Sequence, residues 1–215
     1  MTNAEKEYFC AWAASLLAAP EGTMTAELDQ EAMRSLGEEN VRQWGGDPRL
    51  LSEFFAGKKP EDLLPALQRE YARLFTDGHG EKISLVESTY KPWTQDSGCA
   101  LAFAGTKGLL MGDCALHMRQ MFRELSLEVP EKFRSTPDHL VLELEFLSFL
   151  YHSAGPEQIQ RFIEDHLNWI PNLRDQMGRA HPHPFYRNAI ELIYLFLLHE
   201  KKEGKAKDHG PQNLH

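Results

Sequence analysis

An all-α fold, arranged as a helical bundle, is what this sequence predicts. Apolar residues recur at helical spacing through most of the chain, alternating strand patterns are almost absent, and Pro60, Pro137, Pro156 and Pro184 stand where apolar-periodic segments begin. With 42% hydrophobic and 26% charged residues, a chain of 215 residues can bury a core as one domain or two small ones.

The first expected helix runs from Ala4 to Leu17, with Tyr8, Phe9, Trp12, Ala13 and Leu16 on one side. Glu5 and Glu7 flank Lys6 where a secretory signal needs net positive charge, so this segment reads as mature structure. Weaker helical patterns cover Ala26 to Leu36 and Pro48 to Phe55, with a break at Gly45-Gly46-Asp47-Pro48. Pro60 to Phe75 is a stronger segment: Pro60 suits a first turn, Glu61 and Asp62 favour the positive dipole end, and Leu64, Leu67, Tyr71 and Leu74 repeat in register. It stops at Asp77-Gly78-His79-Gly80, and an irregular stretch follows from Thr76 to Gly98. Loops longer than about 12–15 residues are usually functional or disordered, and the aromatics in Tyr90-Lys91-Pro92-Trp93 argue against disorder.

Next comes a helix from Asp113 to Leu125, closed by Pro130. The sharpest start signal is Thr136 as N-cap with Pro137 at the first helical position and Asp138 in the first turn. Leu140, Leu144, Leu147 and Tyr151 line one face of that helix while Leu142, Phe146 and Phe149 line another, which makes it central to the core. Pro156 opens a helix expected to stay in register through Trp169 and Ile170 until Pro171, and Pro184 opens the last, ending near His199. The polar residues from Glu200 are expected to form a mobile tail. The division expected is 1–132, 133–199 and the tail 200–215.

A net charge of −9 argues against a nucleic-acid partner, because phosphate binding needs clustered Lys and Arg, and suits a basic peptide. No apolar run approaches a membrane span, since Ala189 to Leu198 is interrupted by Glu191. Cys10, Cys99 and Cys114 form no Cys-x-x-Cys pair and read as residues of a reducing compartment. Catalytic motifs are missing: Gly105-Thr106-Lys107-Gly108 lacks the spacing of a phosphate loop, and neither Gly-x-Ser-x-Gly nor His-Glu-x-x-His occurs. His139 with Glu143, and His181 with His183, fall short of the convergent ligands a metal needs, so neither a metal nor a cofactor is expected. Two places remain. Asp138-His139 serves either a helix dipole or a functional role, and Trp93 beside Pro92 either walls a peptide groove or plugs the core.

Glu70-Tyr71-Ala72-Arg73-Leu74-Phe75, Glu87-Ser88-Thr89-Tyr90 with Pro92-Trp93, Pro137-Asp138-His139-Leu140 running into Glu143 to Leu147, and Phe162 to Leu167 with Trp169 together resemble the TorD/DmsD/NarJ family of redox-enzyme maturation chaperones. The resemblance implies an all-α fold with a hinge just before Pro137, no enzymatic activity, and a cytoplasmic protein. Its implied partner is the twin-arginine leader, or another N-terminal segment, of a molybdopterin-dependent oxidoreductase, held until the cofactor is loaded. The leader-binding positions it implies are Tyr71, Leu74, Phe75, Pro92, Trp93, Asp138 and His139, with Asp138 receiving guanidinium groups, Leu74, Phe75 and Trp93 forming an apolar wall, and His139 tuning the charge. A monomer is expected, and the connection at Phe133 to Thr136 permits domain swapping. The alternatives are a NarJ-like chaperone for an enzyme that is not exported, and a nucleotide-binding protein using Lys107.

Overall fold

The computed structural model describes residues 1–21, 30–54, 60–76 and 82–208, leaving aside the side chains at 30–36, 60, 61 and 206–208. The helices are α1 (Asn3–Leu17), α2 (Gln30–Gln43), α3 (Arg49–Ser52), α4 (Pro60–Tyr71), α5 (Asp113–Glu124), α6 (Leu140–Ser153), α7 (Pro156–His166), α8 (Ile170–Ala180) and α9 (Pro184–Asp208). Among the described residues, β pairing is confined to one antiparallel bridge between Val86 and His139. The fold is all-α, as the periodicity predicts.

Helix α1 starts on a capping box: the Thr2 hydroxyl accepts from the Glu5 N–H at 3.3 Å while the Glu5 carboxylate takes the Thr2 N–H at 2.6 Å. Both satisfy amide groups that a helix start leaves open. α1 packs along α6, and α9 lies against α1, α7 and α8. Aromatic rings knit the middle: Phe9 sits 4.6 Å from Phe196 and 5.2 Å from Trp44, and Phe54 sits 4.9 Å from Phe185. Gly46 allows the turn after α2 to press on α9, for a Cβ there would meet Leu195 Cδ1 at 2.4 Å. As expected from its two apolar faces, α6 is buried nearly all round.

Four expectations need correction. Thr136 does not cap α6. Thr136 to His139 form a turn closed by His139 N–H on Thr136 O (3.1 Å), and the neighbouring segment pins it, with Glu87 N–H donating to Asp138 O (3.0 Å) and Leu140 N–H to Leu85 O (2.8 Å), so the helix starts at Leu140 and His139 is its cap. Pro171 does not end a helix but sits in the first turn of α8, where its missing N–H leaves no bond unmade, and α7 stops earlier at His166. The residues from Glu200 do not begin a polar tail: α9 continues to Asp208, and Glu200 is buried, reached by Lys6 Nζ at 2.7 Å and by the Tyr151 hydroxyl at 2.7 Å. After Tyr71 the chain winds into a π turn, Ala72–Thr76, where an α-helix was expected to reach Phe75. The stop at Asp77 to Gly80, and residues 26–29 of the segment Ala26 to Leu36, lie outside the described residues.

Candidate functional site

The long segment before α5 positions the site. Ile83 N–H bonds Leu74 O at 3.0 Å, the bridge at Val86 ties the segment to the lead-in of α6, and a 3₁₀ turn at Glu87–Thr89 follows. This turn drives Glu87 and Ser88, both fully buried, against α5, α6 and α7. Ser88 donates to Asp138 Oδ2 from its backbone N–H (2.7 Å) and its hydroxyl (2.5 Å), and the Cys114 thiol lies 3.7 Å from the same oxygen. Glu87 Oε2 stands 2.9 Å from His166 Nδ1, while Lys91 Nζ holds Glu87 Oε1 and the Asp165 carbonyl. His166 Nε2 in turn meets His117 Nδ1 at 2.8 Å, and Trp169 Nε1 donates to Glu143 Oε2 at 3.2 Å.

Three carboxyl groups and a thiol thus share one interior with Lys91 as the permanent positive charge. Burial first, and then the charge of Glu87, pushes Glu143 well above the usual carboxylate range. Burial also raises Asp138, against the lowering effect of its Ser88 bonds, and raises Cys114. Asp138 Oδ1 is buried and has no hydrogen-bond partner, while the Glu143 carboxyl shares a hydrogen bond with Glu87.

The residues singled out for leader binding fall into three groups. Tyr71 and Phe75 stack edge-on at 5.1 Å and both meet Tyr186; Leu74 and Phe75 are buried and Tyr71 is half-buried. Asp138 and His139 sit at the interior cluster and the α6 cap. Pro92 and Trp93 are half-buried on the outer side, where Pro92 borders a cavity of about 330 Å³ together with Gln95, Asp113, His117 and Asp165. Trp93 neither plugs the core nor stands free: its ring meets Phe103 edge-on at 5.1 Å, and its backbone bonds Thr106 O and Asp113 N–H. Gly112 permits that closure, since a Cβ would lie 2.6 Å from Trp93 O. Leu101, Phe103 and Leu110 on the loop after Trp93 are exposed. Next to the cavity, sharing His117, Asp165 and His166 with it, runs a groove of about 440 Å³ floored by Met121, Phe146, Leu150 and Phe162 and edged by Glu124 and Leu125.

His139 does not tune charge at neutral pH. Burial, assisted by Lys132, pushes it down to about 4, so the ring is neutral and its Nδ1 accepts the Val141 N–H at 3.2 Å. Gly105 to Gly108 is a turn whose Gly108 N–H bonds Thr89 O, and α5 starts only at Asp113. It lacks the helix N-terminus on which a phosphate loop relies.

A profile of the family described as nitrate reductase delta subunit matches residues 19–175, which takes in the whole cluster. The chain belongs to this family. Within it, the chain is similar to the chaperone protein TorD of Photobacterium profundum, 24% identical over 187 residues, covering 76% of this chain and 84% of the relative. It is also similar to the chaperone protein TorD of Vibrio cholerae serotype O1 (strain ATCC 39315 / El Tor Inaba N16961), 28% identical over 123 residues, covering 49% of this chain and 55% of that protein. The chain therefore spans about half the length of the Vibrio cholerae relative it matches. The delta-subunit family match agrees with the motifs at Glu70, Glu87 and Pro137, and among the described residues no helix is long and apolar enough to cross a membrane.

Sequence reasoning missed Glu87, Cys114, Glu143, His166 and His117 as a set, because they lie on four separate segments. The signal available was the run of carboxylates and histidines on otherwise apolar faces, where Glu143 and His166 interrupt buried stripes.

Proposed function

We propose that this delta-subunit family member is a maturation chaperone, not an enzyme, that binds the N-terminal leader of a molybdopterin-dependent oxidoreductase in the cytoplasm before export. The observation that carries it is the apolar groove between α5, α6 and α7, continuous with a cavity edged by Asp113 and Asp165 and bordered by Pro92. A twin-arginine leader has a basic head and an apolar stretch, and the two halves of this surface match those two chemistries. The relatives named chaperone protein TorD support the same reading.

Pro92 and Trp93 take the leader at the outer rim, and Tyr71 adds an aromatic edge. Asp138, His139, Leu74 and Phe75 contact it only when the segment 82–93 swings away from α6, about a hinge near residues 133–136. Asp138 otherwise acts from behind, through Ser88.

Calorimetric titration with leader peptides, each beside a version with both arginines changed to alanine, tests this. Micromolar binding that drops at least tenfold without the arginines, and again with Trp93→Ala or Asp165→Asn in a folded variant, is expected. Binding indifferent to the arginines would move the protein to the NarJ-like alternative, and no binding to any leader would refute the leader reading.

A further inference from the structure

We propose that the buried cluster around Glu87 is a site for one divalent transition-metal cation of the zinc type, its ligands drawn from Glu87, Cys114, Asp138, Glu143 and His166. Two sets of donor atoms overlap at Glu87. Those of Glu87, Cys114 and Asp138 lie within 4.8 Å of one another, and so do those of Glu87, Glu143 and His166. Two ligands at about 2.0–2.3 Å from one ion stand no more than about 4.6 Å apart, so modest side-chain rotation closes either set on a common centre.

The second observation is independent of the spacing. Asp138 Oδ1 belongs to a side chain with no exposed surface and finds no hydrogen-bond partner. A buried polar atom left open is rare, because its lost hydration is not replaced. Asp138 Oδ1 belongs to the first set, so an ion held there would satisfy it.

The donor chemistry selects the metal. A thiol and an imidazole with carboxylates suit zinc or its neighbours, whereas calcium and magnesium take oxygen ligands almost alone. The outer partners are those a metal site uses: Trp169 orients Glu143, Ser88 orients Asp138, and His117 meets the second nitrogen of His166. Lys91 does not bar the ion, since its ammonium also bonds the Asp165 carbonyl at 2.5 Å and can stay there when Glu87 turns. Entry is through the 330 Å³ cavity, which Cys114 and His166 line.

This site stands whether or not the protein binds a leader. The test strips the full-length protein with a chelator, dialyses it, and titrates Zn²⁺ by calorimetry and Co²⁺ by absorption. One Zn²⁺ per chain, a rise in Tm with added Zn²⁺, and a near-ultraviolet thiolate-to-cobalt band are expected. Cys114→Ser should abolish that band, and Glu143→Gln should weaken Zn²⁺ at least about tenfold, each checked for folding by circular dichroism. His181→Ala controls for an exposed imidazole and should change neither signal. No saturable Zn²⁺ binding, or a cobalt spectrum that Cys114→Ser leaves intact, would overturn the proposal.

Discussion

Replacing Ser88 by alanine isolates the bond that ties the loop before α5 to the lead-in of α6. Two donors meet at Asp138 Oδ2, the Ser88 N–H at 2.7 Å and its hydroxyl at 2.5 Å, and the substitution removes only the second. A hydrogen bond to a charged group contributes about 1.5–3 kcal/mol, and here no water replaces it because Ser88 and Asp138 have no exposed surface. At about 2 kcal/mol and about 2–4 °C per kcal/mol for a chain of this size, Tm at pH 7 should fall by about 4–8 °C. The pH dependence has a definite sign. Burial already raises the folded-state pKa of Asp138, so its contribution to stability is present in acid and lost as pH rises through that pKa. Ser88 opposes that rise; without its hydroxyl the folded pKa climbs further, and the variant should fall behind the parent increasingly from pH 4 to pH 7. Urea unfolding of chelator-treated parent, Ser88→Ala, Asp138→Asn and the double variant across that range measures the coupling. A loss that is the same at pH 4 and pH 7, or undiminished in the Asp138→Asn background, would show that Ser88 does not support a buried charge.

His139 should make the protein acid-sensitive: its folded pKa of about 4 lies below the ordinary 6.5, so the stability it supports at neutral pH is lost as pH falls from about 6.5 to about 4. His139→Asn keeps an N-cap acceptor without titrating and should remove about 2–3 kcal/mol of that loss, read from unfolding curves at pH 7 and pH 4.5. Phe196→Ala empties the space between Phe9, Trp44 and Tyr151 and should destabilise by about 3–5 kcal/mol in urea, with a change below 1 kcal/mol showing that those rings close the gap.

Helix identity was legible in the sequence because its signals are local. Apolar stripes and openers such as Pro156 and Pro184 act within one or two turns, so α1, α5, α7 and α9 begin within a residue of the positions they mark. The two-faced greasiness of residues 140–151 likewise announced a central helix, since such a surface has nowhere else to go. The same local rules failed where distant chain intervened. Thr136-Pro137-Asp138 is a valid helix start, yet it closes a turn onto His139, and backbone bonds of Leu140 and Asp138 to residues 85 and 87 delay the helix to Leu140. Glu200 begins a polar string, yet Lys6 and Tyr151, far away in sequence, give its carboxylate a buried place and let α9 run on.

The candidate site divides along the same line. Pro92, Trp93 and Asp138 could be singled out by residue type and by the family motifs, but which of them faces outward could not. A 3₁₀ turn at Glu87, a thiol on α5, carboxylates at the start of α6 and an imidazole at the end of α7 share no spacing that a linear reading can detect. Composition and periodicity by themselves determined an acidic, all-helical chain with a large core. Only the tertiary structure decided that three carboxyl groups, a cysteine and a histidine would share one interior, because burial and Coulomb interaction depend on separation in space, whatever the separation along the chain.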